Sequence, residues 1–284
     1  MQSAIHTMNT ALQAQTLTRT AAMLLCLLTS SKSVMAQPNF DQQLITSSLR
    51  ASADPAPGSE FILAVDLSLE DHWHTYWPGI NDTGYGVTFD ISADPTLSFG
   101  EPYFPAPKRY LAPGQILDHT YEGTLRVLIP VSVSSEAQPG DRPTIEIVSN
   151  ALVCDDVCIP QTTTATTSVL ITDYPVTHYQ ELIDAYSTRA KRLVDPDVEW
   201  SASDSTHSAM LRVKGASRYQ FFPSDACTQP ADLIKQGDTR ADTLTITFDQ
   251  SYSDPGDPIR FAGRLRVLIG EEWQEYDIDE STTP

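Results

Sequence analysis

Apolar and polar residues alternate in short runs along most of the chain. Phe61, Leu63, Val65 and Leu67 interleave with smaller or more polar neighbours, the period of a half-buried strand. Similar runs fall at 87–91, 125–133, 144–153 and 163–171, separated by turn-rich stretches such as Pro139-Gly140-Asp141 and Asn81-Asp82-Thr83-Gly84. Many short strands punctuated by Pro and Gly predict an all-β, immunoglobulin-like antiparallel sandwich over residues 37–174. A different period follows. Tyr179, Leu182, Ile183, Tyr186, Ala190 and Leu193 recur at helical spacing after Pro175, predicting an amphipathic linking helix over 175–195. Strand signals return at 208–214, 218–222, 243–249, 264–269 and 273–278, the last two joined across Gly270-Glu271. They predict a second, smaller β-sandwich domain over 196–284, with a frayed tail at 279–284.

The amino-terminal stretch reads as a secretory signal peptide over 1–36. Arg19 precedes the apolar run Ala21-Ala22-Met23-Leu24-Leu25-Cys26-Leu27-Leu28, and Val34-Met35-Ala36 offers small residues for a signal peptidase. The run is shorter than the roughly 20 residues of a membrane span, and nothing later approaches that length. The expected location is therefore the periplasm of a Gram-negative bacterium, with no membrane insertion of the mature chain. Removing Arg19 and Lys32 from the 18 basic residues leaves 16 against 37 acidic ones, a mature net charge of −21. Such a surface repels nucleic acid, which is excluded as a partner.

Cys154, Cys158 and Cys227 remain after processing, in a compartment that favours disulfides. Four residues of extended strand would separate Cys154 from Cys158 by roughly 13 Å, whereas a disulfide tolerates about 7 Å between α-carbons. If the two bond, the chain must reverse within Asp155-Asp156-Val157, which Asp-Asp accommodates. A ring this short contributes only about 2 kcal/mol to stability and is a weak staple. Three readings stay open on spacing alone: redox exchange, a structural disulfide in an interaction protein, and copper binding without redox catalysis. His72 and His74 would share one face of a strand and are the candidate histidines for the copper reading. The Cys-x3-Cys-x-Pro pattern also occurs in copper-delivery proteins, but these use a thioredoxin-like fold with alternating helices. Trp73, Tyr76 and Trp77 could frame a redox site, but the reading favoured is that they fill the sandwich core, and Cys227 is expected to be unpaired and non-catalytic. No nucleophile elbow, phosphate loop or zinc spacing is present, and no cofactor is expected.

Longer motifs add a family. His72-Trp73-His74-Thr75-Tyr76-Trp77-Pro78-Gly79 followed by Asp82-Thr83-Gly84, then Phe104-Pro105-Ala106-Pro107-Lys108-Arg109, Tyr121-Glu122-Gly123 before Leu128-Ile129-Pro130-Val131, and Val153-Cys154 through Cys158-Ile159-Pro160 occur in order. Together they resemble the periplasmic N-terminal domain of the thiol:disulfide interchange protein DsbD, and more closely its relatives in the suppressor-of-copper-sensitivity protein B group. The resemblance runs from about residue 61 to 171, with a weaker echo in the second β-region. It implies an immunoglobulin-like sandwich that takes electrons from a membrane-embedded partner and passes them to periplasmic disulfide proteins. By that analogy Cys158 forms mixed disulfides and Cys154 resolves them. The family shields the pair with a loop; residues 111–118 look like the corresponding position, with Ile116 and Leu117 in place of an aromatic cap. The full-length relatives carry membrane and thioredoxin-like domains, neither of which appears in this sequence, so a membrane-embedded thiol–disulfide reductase acting in trans is the expected partner.

Overall fold

The structure, a computed structural model, describes residues 42–203, 206–249 and 257–282. The expected signal peptide, with Cys26, lies outside them. The strands of the first half are β1 (Ile45–Ala51), β2 (Ala53–Asp54), β3 (Glu60–Leu69), β4 (His74–Tyr76), β5 (Thr88–Ala93), β6 (Leu97–Phe99), β7 (Lys108–Ala112), β8 (Ile116–Glu122), β9 (Thr124–Val133), β10 (Thr144–Cys154) and β11 (Cys158–Ser168). Among the described residues, β1-β3-β9-β6 form one sheet, and β11-β10-β4-β8-β7, with β5 also on β10, form a second. Their inner faces enclose a core that includes Leu63, Val65, Val127, Ile129, Ile145, Ile147 and Val153. This is the immunoglobulin-like sandwich the alternation predicts.

β3 departs from simple alternation because both of its faces are covered. Ile62 and Ala64, pointing away from the main core, pack with Leu128 and Leu182 in a small separate cluster. Leu182 belongs to α1 (Gln180–Ser187), so the helix lies on the outside of the first sheet. It is shorter than the 175–195 element the periodicity predicts, since both flanks are taken by strand pairing. β12 (Val176–Thr177) pairs with β2, and the backbone N–H groups of His178 and Tyr179 donate to the Ser52 carbonyl. On the far side, β13 (Lys191–Arg192) joins β20 (Glu272–Ser281) in parallel.

The remaining strands are β14 (Asp197–Ala202), β15 (Thr206–Arg212), β16 (Ala216–Pro223), β17 (Asp238–Thr239), β18 (Thr243–Asp249) and β19 (Arg260–Ile269), with a short helix α2 (Leu233–Gln236) before β17. Sheets β13-β20-β19-β16-β17 and β14-β15-β18 enclose a second core built on Tyr219, Phe221, Phe248 and Phe261. The expected frayed tail is instead strand as far as Ser281. Arg260 grips Asp279 there with hydrogen bonds of 2.7 and 2.9 Å.

Asp41–Pro284 is one compact unit, and the contacts joining its two cores are specific. Arg264, 5% exposed, donates to the Phe104 carbonyl at 2.8 Å and to Asp277 at 2.6 Å, with its guanidinium 4.7 Å from the Tyr103 ring. Arg109 donates to the Leu233 carbonyl at 2.9 Å. The Pro223 carbonyl accepts from the Trp77 indole N–H at 3.0 Å and from the Ile80 backbone N–H at 3.2 Å. A buried guanidinium is costly unless it is paired and hydrogen-bonded: Arg264 finds its carboxylate in Asp277 of the neighbouring strand and its carbonyl, from Phe104, across the boundary.

Candidate functional site

β10 and β11 form a hairpin whose register puts Cys154 directly opposite Cys158. The reversal uses Asp155-Asp156-Val157, closed by the Asp155 N–H donating to the Val157 carbonyl at 3.1 Å. The two α-carbons stand 4.1 Å apart and the sulfurs are bonded, as the turn requirement derived from their spacing demands. Facing residues at this separation have their side chains closest together, which suits a cross-strand disulfide. The environment of the two sulfurs is unequal. Cys154 is 1% exposed, whereas Cys158 is exposed at the start of β11.

The sheet supplies the surroundings. β4 runs beside β10, with His74 opposite Cys154. His74 and Tyr76 point to the same face, and Tyr76 packs with Leu152 and Cys154 in a cluster separate from the sandwich core. The Tyr76 hydroxyl lies 3.8 Å from Cys158 Sγ. Tyr76 is thus a residue of the site, contrary to its expected place in the core, while Trp77 is buried in the core and Trp73 packs against it. The Asp82-Thr83-Gly84 motif holds the tyrosine in place. Asp82 accepts from the Leu117 N–H at 2.6 Å, and Thr83 donates to buried Asp118 through its N–H at 3.0 Å and its hydroxyl at 2.5 Å. Gly84 lies flat on the Tyr76 ring: a β-carbon there would sit 2.2 Å from ring atoms. Burial pushes the Tyr76 phenol above its ordinary pKa, against the pull of a hydrogen bond with Thr83.

His74 also meets Tyr110 of β7, ring to ring at 5.4 Å. Burial lowers its pKa, and the carboxylates of Asp118, Glu122 and Asp155 oppose that shift. His72 does not join it. With φ of 74°, His72 sits in the turn before β4, off the strand, so the two histidines do not share a face. Among the described residues no group of three or more His, Cys, Asp and Glu is placed to hold a metal ion. The segment 111–118 is the tip of the β7–β8 hairpin, turning at Pro113-Gly114-Gln115. Ile116 is half-buried, and Leu117, buried, lines a cleft with Leu111 against α2. The aromatic at this end of the sheet is Tyr110, which directly follows the Phe104–Arg109 motif. Cys227 is buried and unpaired, its thiol pushed up to about 12 by burial.

Fold and site together define a β-sandwich carrying a hairpin disulfide with one exposed sulfur. Residues 41–170 match the family described as thiol:disulfide interchange protein DsbD, N-terminal, so the chain carries a domain of that family. The crystal structure of the N-terminal periplasmic domain of ScsB from Proteus mirabilis is similar, with a TM-score of 0.52 and 16% identity over 87% of this chain and 96% of that one. At that identity the likeness establishes the fold alone, and it spans both halves. The sixth cohesin of Acetivibrio cellulolyticus scaffoldin B, in complex with a Cel5 dockerin, has a TM-score of only 0.26, with 11% identity over 43% of this chain and 98% of that one, and carries no argument. No curated protein matches the chain. The domain is a thiol:disulfide interchange module, and among the described residues no helix is long and apolar enough to cross a membrane.

Proposed function

We propose that this protein is a periplasmic electron relay. In the reduced state the Cys158 thiolate attacks a client disulfide, forming a mixed disulfide and releasing one client thiolate. Cys154 then attacks Cys158 Sγ, which closes the internal disulfide and releases the second client thiolate, so two electrons have passed to the client. A membrane-embedded reductase acting in trans returns the pair to the dithiol by the reverse sequence. The observation that carries this reading is the unequal burial of the sulfurs. A visiting protein reaches Cys158, whereas Cys154, at 1% exposure, reaches only its neighbour across the hairpin. That division suits one attacking and one resolving thiol. The separate cores support a division into a redox domain at 37–174 and a second β-domain at 196–284.

The test is to trap the intermediate. Cys154→Ser should accumulate mixed disulfides on non-reducing gels of periplasmic extract, and adding Cys158→Ser should abolish them. Stoichiometric Cu(I) uptake by the reduced protein without adducts would overturn the relay in favour of a copper module. A pair that resists reduction under native conditions would leave only a staple.

A further inference from the structure

Three features stand apart from the exchange chemistry itself: a cleft between the two cores, the lone buried Cys227, and the surface around Cys158. The arginines of the cleft are already occupied: Arg264 by Asp277, Arg260 by Asp279, and Arg189 by the face of Tyr186. Cys227 has nothing beside it that suggests a ligand. The surface around Cys158 is different, because its apolar and charged groups lie together beside a reachable sulfur.

Two apolar side chains stand open there. Val157, the immediate neighbour of Cys158, is 41% exposed, and Tyr110, packed on His74, is 44% exposed. Exposed apolar groups beside a reachable sulfur suit contact with a protein surface. The charge around them is one-sided. Asp155 and Asp156 form the turn itself, and Glu70, Asp71, Glu122 and Asp155 line a concavity of about 430 Å³ beside it. The cations on the adjacent strand leave this field standing. Lys108 is held by Glu122 at 2.8 Å, and Arg109 turns its guanidinium to the carbonyls of Leu233 and Ile234. Among the described residues, Asp155, Asp156, Glu70 and Asp71 form no salt bridge. The turn carboxylates are within a few residues of both sulfurs, inside a Debye length of about 8 Å at physiological salt.

We propose that this face docks a redox protein whose reactive cysteine is ringed by lysine and arginine. The inference rests on the relay reading and names the class of partner the relay accepts. Its chemistry is selective. Unpaired carboxylates disfavour the Cys158 thiolate in the free protein, and an approaching basic surface cancels them as it docks. A basic partner therefore meets a stronger attacking group, while an acidic thiol protein is repelled.

Small disulfides test this without knowledge of the partner. The reduced protein is mixed with cystamine, hydroxyethyl disulfide or 3,3′-dithiodipropionate, which are dicationic, neutral and dianionic. Each rate is divided by that of the same disulfide with 2-mercaptoethanol. At low salt the cystamine-to-dithiodipropionate ratio is expected to be about tenfold or more, falling several-fold in 1 M salt and in Asp155→Asn/Asp156→Asn. A ratio near one, or one favouring the dianion, would overturn the proposal while leaving the relay intact. Failure of all three disulfides to react would remove the relay, and this inference with it. Should the double variant fold poorly, the salt dependence of the unaltered protein separates the same outcomes.

Discussion

Replacing Tyr76 with phenylalanine removes the hydroxyl that faces both Cys158 and Thr83. The ring stays, so its packing on Leu152, Cys154 and Gly84 is retained, and what is lost is the hydroxyl 3.8 Å from Cys158 Sγ together with its bond to Thr83. Thr83 keeps its bond to Asp118, so the loss of folding stability should stay within about 1.5 kcal/mol. The effect on the thiol is more specific. After reduction a phenol that turns its proton from Thr83 to the thiolate would contribute about 1.5 kcal/mol, the low end for a hydrogen bond to a charged group, suited to a long contact with sulfur. That corresponds to roughly one pKa unit. The Tyr76→Phe thiol should therefore titrate about one unit higher, lowering the thiolate fraction at neutral pH about tenfold. A more basic thiolate is intrinsically the better nucleophile, with a Brønsted slope near 0.5, which recovers about threefold. The net expectation is an exchange rate about threefold slower at pH 7. The assay is the pH dependence of iodoacetamide alkylation of the reduced protein. Cys154 and Cys227 are buried and react slowly, so the fast phase reports Cys158. An unchanged midpoint in a folded variant would refute the role given to the tyrosine.

Two further outcomes follow from buried contacts near the site. His119 is buried with Nδ1 3.0 Å from the Ile80 carbonyl, and burial lowers its pKa from 6.5 to about 4. Between those values the unfolded chain binds one proton more than the folded one. Stability should thus fall as pH drops from about 6.5 to 4, by about 3 kcal/mol, above the range where Asp54 and Asp66 add their own acid sensitivity. Urea unfolding at pH 7 and 4.5 measures this, and an equal pH slope in a folded His119→Gln variant would contradict it. Gly84→Ala should cost about 1–3 kcal/mol through forced displacement of the Tyr76 ring, read as a lowered urea midpoint together with the altered Cys158 titration. An alanine variant as stable as the parent would show that the ring yields freely.

The strands and the hairpin disulfide were legible in the sequence for a shared reason: local constraint. Alternation decides which way a long strand faces, and three residues between bonded cysteines leave little but a reversal. Tyr76 escaped because β4 is only three residues long. Over so short a span alternation carries no weight, so Tyr76 and Trp77 read alike as core aromatics, although one turns to the disulfide and the other inward. His72 escaped because a positive φ in a non-glycine residue has no mark in the pattern. The helix was overextended because its apolar period continues through residues that pair with Ala53, Asp54 and β20, partners distant in the chain. The charge around Cys158 was visible as composition, but which carboxylates lack cations depends on where Lys108 and Arg109 point.

The motifs that suggested the family divide by task once placed in the fold. In the proposed relay Cys154 and Cys158 carry the exchange, and Tyr76 stands against the exposed sulfur. Trp77, Pro78 and Gly79 lead from the strand carrying Tyr76 to the loop carrying Thr83 and Gly84, and that passage is pinned to the second half. The Pro223 carbonyl takes both the Trp77 indole N–H and the Ile80 N–H. A β-carbon on Gly79 would come within 2.3 Å of that same oxygen. Phe104 and Arg109 are held by Arg264 and by the carbonyls of α2. The second half therefore holds the passage between Tyr76 and the Asp82–Gly84 stretch, and the Phe104–Arg109 motif beside it. Strain at this boundary falls on the residues that join the β4 strand to the Asp82–Gly84 stretch, the two segments that set the distance between the phenol and Cys158. A tethered, independent domain would leave that distance untouched.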